Sequence, residues 1–377
     1  MTEITAVCRA WREAQTTGEP VWLATLARRE GSSYRRPGAR LVFGRDGVRA
    51  GAVSGGCLEQ ELVRTGPWLT RHGPVCRTFD ANSDDEDAPR GSGCLGRLEL
   101  LLEPLSGHAD AALGVIDREL EAERPVALAT VIASSLPQVR LGTRVLKSEQ
   151  ALVTQVSDPA LARSLTAAVT RALAARGTRA ALAEDAGATA LVEVLEPPPH
   201  LFVFGAGVDA LPVARLATLL GWNVTIAGTS GRASARERFI KLARLSERPL
   251  PEIVAELSRC ARPLAVIMSH DYRQDRATLA ALVDVPLRYL GVLGPARRTA
   301  RLLDDIEAER GPLAAAVKSR IFGPAGLALG AETPEEIALS IVAEAQAALK
   351  TTPRGSLREH GGKIHAPLAL ALQGDSS

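Results

Sequence analysis

The sequence has little net charge and no long apolar run. Its 45 Lys and Arg residues nearly balance 43 Asp and Glu residues, which leaves a formal net charge of +2 over 377 residues. Proteins that bind nucleic acid through bulk electrostatics are far more basic, so we expect no nucleic acid partner. No apolar run approaches the roughly 20 residues of a spanning helix, and the N-terminal segment lacks a signal-peptide core. We therefore expect no membrane insertion and a cytoplasmic location.

Cysteine is also scarce, and the thiols are not grouped. The five cysteines are Cys8, Cys57, Cys76, Cys94 and Cys260. Their odd number, wide scatter and lack of C-x-x-C spacing exclude a disulfide framework and a zinc knuckle. Any chemistry that they perform is expected from single thiols.

The length predicts two or three domains. We divide the chain into an α/β lobe at 1–105, a second α/β lobe at 106–198, a Rossmann-like domain at 199–350 and a polar tail at 351–377. The predicted fold class is therefore α/β, with an N-terminal α/β domain of two related lobes followed by a Rossmann-like parallel-sheet domain.

The second lobe repeats strands of the first. Three pairs of segments correspond in order: PVWLATLARR (20–29) with PVALATVIAS (125–134), GARLV (38–42) with GTRVL (142–146), and LELLLEP (98–104) with LVEVLEP (191–197). The copy lacks the basic loop 31–36, the SGGC turn 54–57 and the turn at Cys94. Because the copy keeps the strands without these features, we interpret them as functional.

The basic loop offers hydroxyl groups and guanidinium groups for an anion. Its candidate residues are Ser32, Ser33, Arg35 and Arg36. Arginine can hold a phosphate or a carboxylate with two parallel hydrogen bonds. Solvated surface charge is the alternative interpretation of the arginines.

The SGGC turn places a thiol at the predicted start of a helix. Ser54, Gly55 and Gly56 precede Cys57, and the segment LEQELVRTG continues as a helix. The free N–H groups and the dipole of a helix N-terminus lower the pKa of a thiol there. A structural cysteine in a tight turn is the alternative. A second candidate thiol, Cys94, lies between glycines before a predicted strand.

A glycine turn opens the third domain. Gly205 and Gly207 follow the apolar strand LFVF, and with Ala210 they form a GxGxxA variant of the dinucleotide fingerprint. A strand-to-helix turn that binds nothing is the alternative. NAD-binding folds place an acid about 20 residues further on, but this chain has Gly228 and Thr229 there. Ordinary NAD binding therefore loses support, whereas a phosphate on Thr229, Ser230 and Arg232 is retained as an alternative.

Two further strand ends carry polar residues at the edge where open α/β sheets bind ligands. These residues are His270, Asp271, Gly294, Arg297 and Arg298. Two arginines at a helix N-terminus are unfavourable unless an anion is near. We expect the strand ends at Gly205, His270 and Gly294 to face one anionic ligand. Helix capping is the alternative role of Asp271.

Together these motifs resemble the XdhC/CoxI family over nearly the whole chain. The resemblance is carried by GSSYRRPGARLVF, GAVSGGCLE, the cysteine turn before LELLLEPL, FVFGAGVDA with LGWNVT, MSHDY, YLGVLGPARRTARLL, GPAGLALGAETPEEIALSIVAE and GSLREHGGKIH. It implies an accessory factor that binds the molybdenum cofactor (molybdopterin), protects it, assists its sulfuration and inserts it into a hydroxylase. The implied partners are an apo-molybdenum hydroxylase of the xanthine dehydrogenase or carbon monoxide dehydrogenase type, a cysteine desulfurase and a second copy in a homodimer.

The chemistry of the resemblance assigns roles to three residues. We hypothesise that Arg35 and Arg36 hold the anionic part of the cofactor, while Cys57 lies near molybdenum or assists sulfur transfer. Similar proteins usually carry an acid at the position of Gly228, a GCGG turn at Cys94 and often Asp at the position of Ala328. The alternative function is an NADP-dependent oxidoreductase that uses the C-terminal domain, with His270 as proton donor. The departures suggest a third possibility, a scaffold that has lost ligand binding.

Overall fold

The structure is a computed structural model, and it describes the following residues: 3–31, 35–80, 96–106, 108–175, 180–185, 187–228, 237–350, 355, 356 and 358. It divides into two compact units at the boundary between Pro197 and Pro198. Both units combine helices with sheets, which confirms the predicted α/β class. Among the described residues, no helix has both the length and the apolar character that crossing a bilayer requires.

The first lobe is an antiparallel sheet with two helices. Its elements are α1 (Glu3–Thr17), β1 (Trp22–Gly31), β2 (Arg40–Gly44), β3 (Gly47–Gly51), α2 (Cys57–Leu69), β4 (Val75–Asp80) and β5 (Gly96–Pro104). The strand order is β3-β2-β1-β5-β4. Helix α2 buries Leu62 in the core around Phe43, and its Gly66 leaves room for the Phe43 ring, since a Cβ there would lie 2.7 Å from that ring.

The second lobe has the same sequence of elements. They are α3 (His108–Glu121), β6 (Val126–Ser134), β7 (Arg144–Lys147), β8 (Leu152–Thr154), α4 (Pro159–Ala174), β9 (Ala181–Asp185) and β10 (Ala188–Leu195). The order β8-β7-β6-β10-β9 is the order of the first lobe with each strand replaced by its counterpart. Helix α4 packs Leu161, Leu165 and Val169 into the apolar core of this lobe.

The strand register corrects one part of the internal alignment. Glu103 lies opposite Leu23, and Glu193 lies opposite Leu128, the residue that matches Leu23 in the repeat. Glu103 therefore corresponds to Glu193, three residues from Glu196, with which the alignment of LELLLEP and LVEVLEP pairs it. The two segments are similar in several frames because both are rich in Leu, Val and Glu, and pairing with the central strand fixes the true register.

The second unit is a parallel sheet covered by helices on both faces. Its elements are β11 (His200–Phe204), α5 (Ala210–Leu219), β12 (Asn223–Ala227), β13 (Arg244–Ser246), α6 (Leu250–Leu257), β14 (Pro263–Ile267), α7 (Tyr272–Leu282), β15 (Tyr289–Val292), α8 (Ala296–Arg310), α9 (Ala315–Lys318), β16 (Ile321–Phe322) and α10 (Pro334–Lys350). The order β13-β12-β11-β14-β15-β16 is the Rossmann order 3-2-1-4-5-6. Leu201 and Val203 of β11 face α5 and α10, whereas Phe202 and Phe204 face α6 to α8.

Candidate functional site

One buried carboxylate organises the turn that precedes α2. The Oε1 atom of Glu59 accepts the N–H groups of Val53 (3.0 Å) and Ser54 (2.7 Å), and Oε2 accepts the Ser54 hydroxyl (2.5 Å) and the N–H of Gly56 (3.0 Å). Burial alone would raise the pKa of Glu59. The hydrogen bonds from Ser54 and Val53 lower it by more than burial raises it, so the pKa lies below its ordinary value. Glu59 is therefore ionised at neutral pH and fixes the turn.

The backbone of this turn is open to solvent. Gly55 and Gly56 are exposed, and a Cβ atom at either position would meet nothing within 4 Å. Gly56 has a φ of 124°, which side-chain-bearing residues rarely adopt. The first N–H groups of a helix have no partner within the helix. Since Glu59 takes the N–H of Gly56, the donors that the start of α2 can present to an anion are the N–H groups of Cys57 and Leu58.

Arg35 lies beside the turn. Its guanidinium pairs with Glu3 and is attracted by Glu59, which opposes the lowering of its pKa by burial. Glu3 in turn accepts the N–H of Arg40 (2.8 Å). The structure therefore brings Arg35 and the glycine turn together, while Arg36 is exposed.

The corresponding turn of the second lobe is closed by its own side chains. Asp158 caps α4 by accepting the N–H of Leu161 (2.9 Å), and it also accepts the side-chain amide of Gln138 (3.2 Å). The Ser157 hydroxyl donates to the Gln138 carbonyl (2.6 Å). Pro159 begins the helix without an N–H group. In the part of the copy that the structure describes, Asp158 thus takes the N–H groups of Ala160 and Leu161 and Pro159 has none, so the start of α4 offers a ligand no counterpart of these donors.

Several predicted residues fall outside the described residues. These are Ser32, Ser33 and Cys94, together with Thr229, Ser230 and Arg232. Cys57 is the first residue of α2, as its backbone shows, but its side chain lies outside the described part. The positions of these side chains stay predictions.

Two other thiols lie in environments that make them unreactive. Burial raises the pKa of Cys8 and of Cys76 to about 12, and Cys76 also donates to Glu99 (3.3 Å). A thiol with such a pKa holds its proton at neutral pH and is a poor nucleophile. Cys260 lies 3.4 Å from Nδ1 of His200, whose pKa burial lowers to about 4.

The Rossmann-like unit joins two strand ends at its topological switch point. Gly205 has a φ of 136°, and a Cβ there would lie 3.0 Å from the Cα of Ser269, so glycine alone fits. Two residues beyond Gly207, Asp209 contacts Nε2 of His270 at 2.7 Å. His270 itself has a φ of 64° and a side chain that is 63% exposed. The glycine turn and His270 thus meet in the crevice where ligands bind in such sheets.

One cation at this crevice escapes sequence reasoning. Arg238 donates to the carbonyl of Ala206 (3.0 Å), within the glycine turn. The available signal was the cluster of arginines in GRASARER after β12. The sequence does not reveal the neutral Gln274 either, whose amide nitrogen lies 3.0 Å from the position of a Cβ on Gly228. An amide thus lies near the position where NAD-binding folds carry an acid.

Protein contacts already occupy two of the other predicted residues. Asp271 caps α7 by accepting the N–H of Gln274 (2.8 Å), as the capping alternative requires. Arg298 pairs with Asp275 (2.7 Å), whose side chain is 1% exposed. Gly294 has a φ of 123° and approaches the Arg298 side chain, and Arg297 is exposed. The positive charge of Arg298 is thus neutralised within the protein.

Two family models match separate parts of the chain. A family model described as the XdhC Rossmann domain matches residues 201–345, and one described as the XdhC and CoxI family matches residues 14–80. The chain is 29% identical over 331 residues to a protein of Bacillus subtilis that is described as a probable xanthine dehydrogenase subunit, and the match covers 86% of this chain and 92% of that protein.

Two other proteins are also similar. The uncharacterized protein YqeB of Escherichia coli is 29% identical over 183 residues, which are 48% of this chain and 33% of that protein. The crystal structure of a xanthine dehydrogenase from Bacillus halodurans is 25% identical and has a TM-score of 0.72, covering 96% of this chain and 99% of that one. The fold is therefore shared over nearly the whole chain.

Proposed function

Because this chain belongs to the XdhC and CoxI family, we propose that it is an accessory factor for hydroxylases of the xanthine dehydrogenase or carbon monoxide dehydrogenase type. In this role it binds the molybdenum cofactor, protects it, assists its sulfuration and inserts it into the apo-enzyme. The observation that carries the proposal is the open glycine turn at the start of α2, since the corresponding turn of the second lobe is closed by Asp158 and Pro159.

The donors around the turn fit such a cofactor. A molybdopterin is an anionic phosphate ester that supplies a molybdenum centre held by two sulfur atoms. Arg35 and the first N–H groups of α2 would hold the anionic part. Cys57, at the N-terminus of α2, would supply the soft thiolate near the metal. Glu59 fixes the turn that presents the N–H groups of α2 and Cys57.

The thiol chemistry of the chain points to the same helix. Cys8 and Cys76 keep their protons because burial raises the pKa of each to about 12. A cysteine at a helix N-terminus has the opposite tendency, because the dipole favours the thiolate. We assign sulfur handling to Cys57, with a cysteine desulfurase as the proposed sulfur donor.

The proposed homodimer has a suitable surface on the Rossmann-like unit. A groove of about 360 Å³ between α5 and α10 is lined by Pro212, Leu216 and Leu339, with Arg215, Glu335 and Glu336 also on its wall. Arg215 and Glu335 form no ion pair among the described residues. Glu336 already accepts the N–H groups of Glu332 and Thr333. A partner surface of one sign would leave Arg215 or Glu335 unpaired, whereas a second copy related by a twofold axis can pair Arg215 of each copy with Glu335 of the other.

The variant C57A tests the cofactor proposal. We would purify it, with C76A as the matched control, from cells that make the cofactor, and measure bound pterin and activation of an apo-xanthine dehydrogenase. We expect C57A to lose most of the bound pterin and of the activation, because it loses the soft ligand, whereas C76A keeps both. Equal pterin content and equal activation in all three proteins would overturn the assignment of Cys57.

A second candidate function is an NADP-dependent oxidoreductase with His270 as proton donor. The contact between Asp209 and His270 at the switch point favours it, as does Arg238 at the glycine turn. Titration with NADPH, followed by its fluorescence, separates the two functions. Micromolar binding that is lost in H270A would favour the oxidoreductase, and the absence of binding would exclude it.

A further inference from the structure

An aromatic side chain is exposed at the far end of the helix that begins with Cys57. Trp68 is 63% exposed, whereas Trp22 and Trp222 are buried. Arg71 lies over the Trp68 ring at 4.3 Å from its centroid and donates to the Trp68 carbonyl (3.2 Å). The pair is therefore held in place before any partner arrives.

The surroundings of Trp68 on this face are basic. Arg64 lies one turn before Trp68 and Arg71 one turn after it, and both are exposed. Neither arginine forms an ion pair among the described residues. His72 adjoins Arg71, and its Nε2 lies 3.1 Å from the arginine Nε. The acid on this face is Glu61, one turn before Arg64. The face around Trp68 thus has a positive surplus.

The second lobe shows that the fold does not require this tryptophan. Leu62 of α2 and Leu165 of α4 occupy corresponding buried positions, which makes Arg171 the counterpart of Trp68. Arg171 is exposed, and α4 forms without an aromatic residue there. Trp and Arg are, with Tyr, the residues enriched at the energetic centres of protein interfaces.

We propose that Arg64, Trp68 and Arg71 form the docking face for the apo-hydroxylase, through a surface of that enzyme which offers an apolar contact ringed by carboxylates. This inference rests on the proposed function. Trp68 lies eleven positions after Cys57 in α2, which corresponds to about 17 Å of helix. Since Leu58, Leu62 and Leu69 fix α2 on the core of the first lobe, docking at Trp68 brings the cofactor turn to a fixed distance from the bound enzyme.

The test uses W68R, which installs the residue of the second lobe, and R71E. The matched control is R171E, which makes the same charge change on α4. Binding to immobilised apo-xanthine dehydrogenase would be measured by interferometry at low and high salt, and bound pterin would be measured in each variant. We expect at least tenfold weaker association for W68R and R71E, unchanged association for R171E and unchanged pterin content in all three. Association of the parent should weaken as salt rises.

Two results would count against the proposal in different ways. If the parent binds and both W68R and R71E bind within twofold of it, the docking face is wrong while the proposed function stands. If the parent protein, loaded or free of pterin, does not bind the apo-enzyme at all, the proposed function fails and the docking face fails with it.

Discussion

Arg40 of the first lobe forms a buried, two-pronged ion pair with Glu193 of the second. Its Nη1 donates to Oε2 at 3.1 Å, Nη2 donates to Oε1, and Nη1 also donates to the carbonyl of Gly38 at 2.8 Å. Both side chains are 6% exposed. A side chain at Gly38 would collide with the Glu193 carboxylate, since its Cβ would lie 2.8 Å from Oε2.

The internal repeat generates the same arrangement in the opposite direction. Arg144 of the second lobe pairs with Glu103 of the first, and it donates to the carbonyl of Gly142. Each lobe therefore supplies one arginine to the other lobe and one glutamate that pairs with the arginine of the other lobe. The exchange gives the second lobe, whose own turn is closed, a structural role, because it supplies the partners of Arg40 and Glu103.

The first prediction follows from this exchange. Removing one partner of a buried pair leaves an uncompensated charge, so E193A should lower the free energy of unfolding by about 3–5 kcal/mol. The exposed pair of Arg49 and Asp46 is the control, and D46A should change it by less than about 1 kcal/mol. Urea unfolding measures both. Equal, small losses would show that the pair of Arg40 and Glu193 contributes little.

The second prediction concerns the pH dependence that Glu59 confers. Its pKa is lowered in the folded protein, so its stabilising contribution is present above the pKa of the unfolded chain and is lost as pH falls through the folded pKa. E59Q should therefore be less stable than the parent at pH 7, and the difference should narrow below about pH 4. Unfolding by urea at a series of pH values measures this, with the exposed Glu61 changed to Gln as control. A difference that does not vary with pH would contradict the ionised role.

The third prediction separates ligand access from folding. Gly55 lacks a positive φ, and a Cβ atom there would meet nothing within 4 Å. The free energy of unfolding of G55A should therefore lie within about 1 kcal/mol of that of the parent. The added methyl group lies on the open turn, and we expect it to reduce bound pterin several-fold. Pterin content and thermal unfolding of the same preparation check both halves. Full pterin content in G55A would show that the ligand does not approach this backbone.

The sequence predicts the helices, strands and turns better than it predicts which distant residues contact one another. The turn at Ser54 and the strands of both lobes are local patterns, and the structure contains the expected elements. The contact of Asp209 and His270 joins residues 61 positions apart, and the order of the strands alone brings them together. Glu193 was visible as a residue but was aligned with the wrong position, because register depends on the neighbouring strand.

The role of Arg298 depends on a buried carboxylate that the spacing of the sequence does not reveal. Arg298 follows a glycine at a helix start, which favours an anion site by charge alone. The structure places Asp275 beneath it, one turn into α7, and that acid is nearly fully buried. Whether an arginine is available to a ligand thus depends on a carboxylate from another helix.

The fourth prediction concerns the strained backbone of His270. A φ of 64° is unfavourable for a residue with a side chain, so H270G should raise the free energy of unfolding by about 1 kcal/mol. H270A keeps the strain while removing the ring, and D209N weakens the contact with the ring. Only H270G should gain stability in urea unfolding. A loss of stability in H270G similar to that in H270A would mean that the contact with Asp209 outweighs the strain.

The last prediction tests the homodimer by exchanging charges across the groove between α5 and α10. If a twofold axis pairs Arg215 of one copy with Glu335 of the other, R215E and E335R each place like charges together, and the double variant restores opposite charges. Light scattering should therefore give twice the chain mass of 39.8 kDa for the parent and the double variant, and a lower mass for each single variant at the same concentration. Leu339 lines this groove and is 53% exposed, so L339D should also favour the monomer, because it places a charge in the apolar contact. A parent that scatters as a monomer, or single variants that remain dimeric, would exclude this surface.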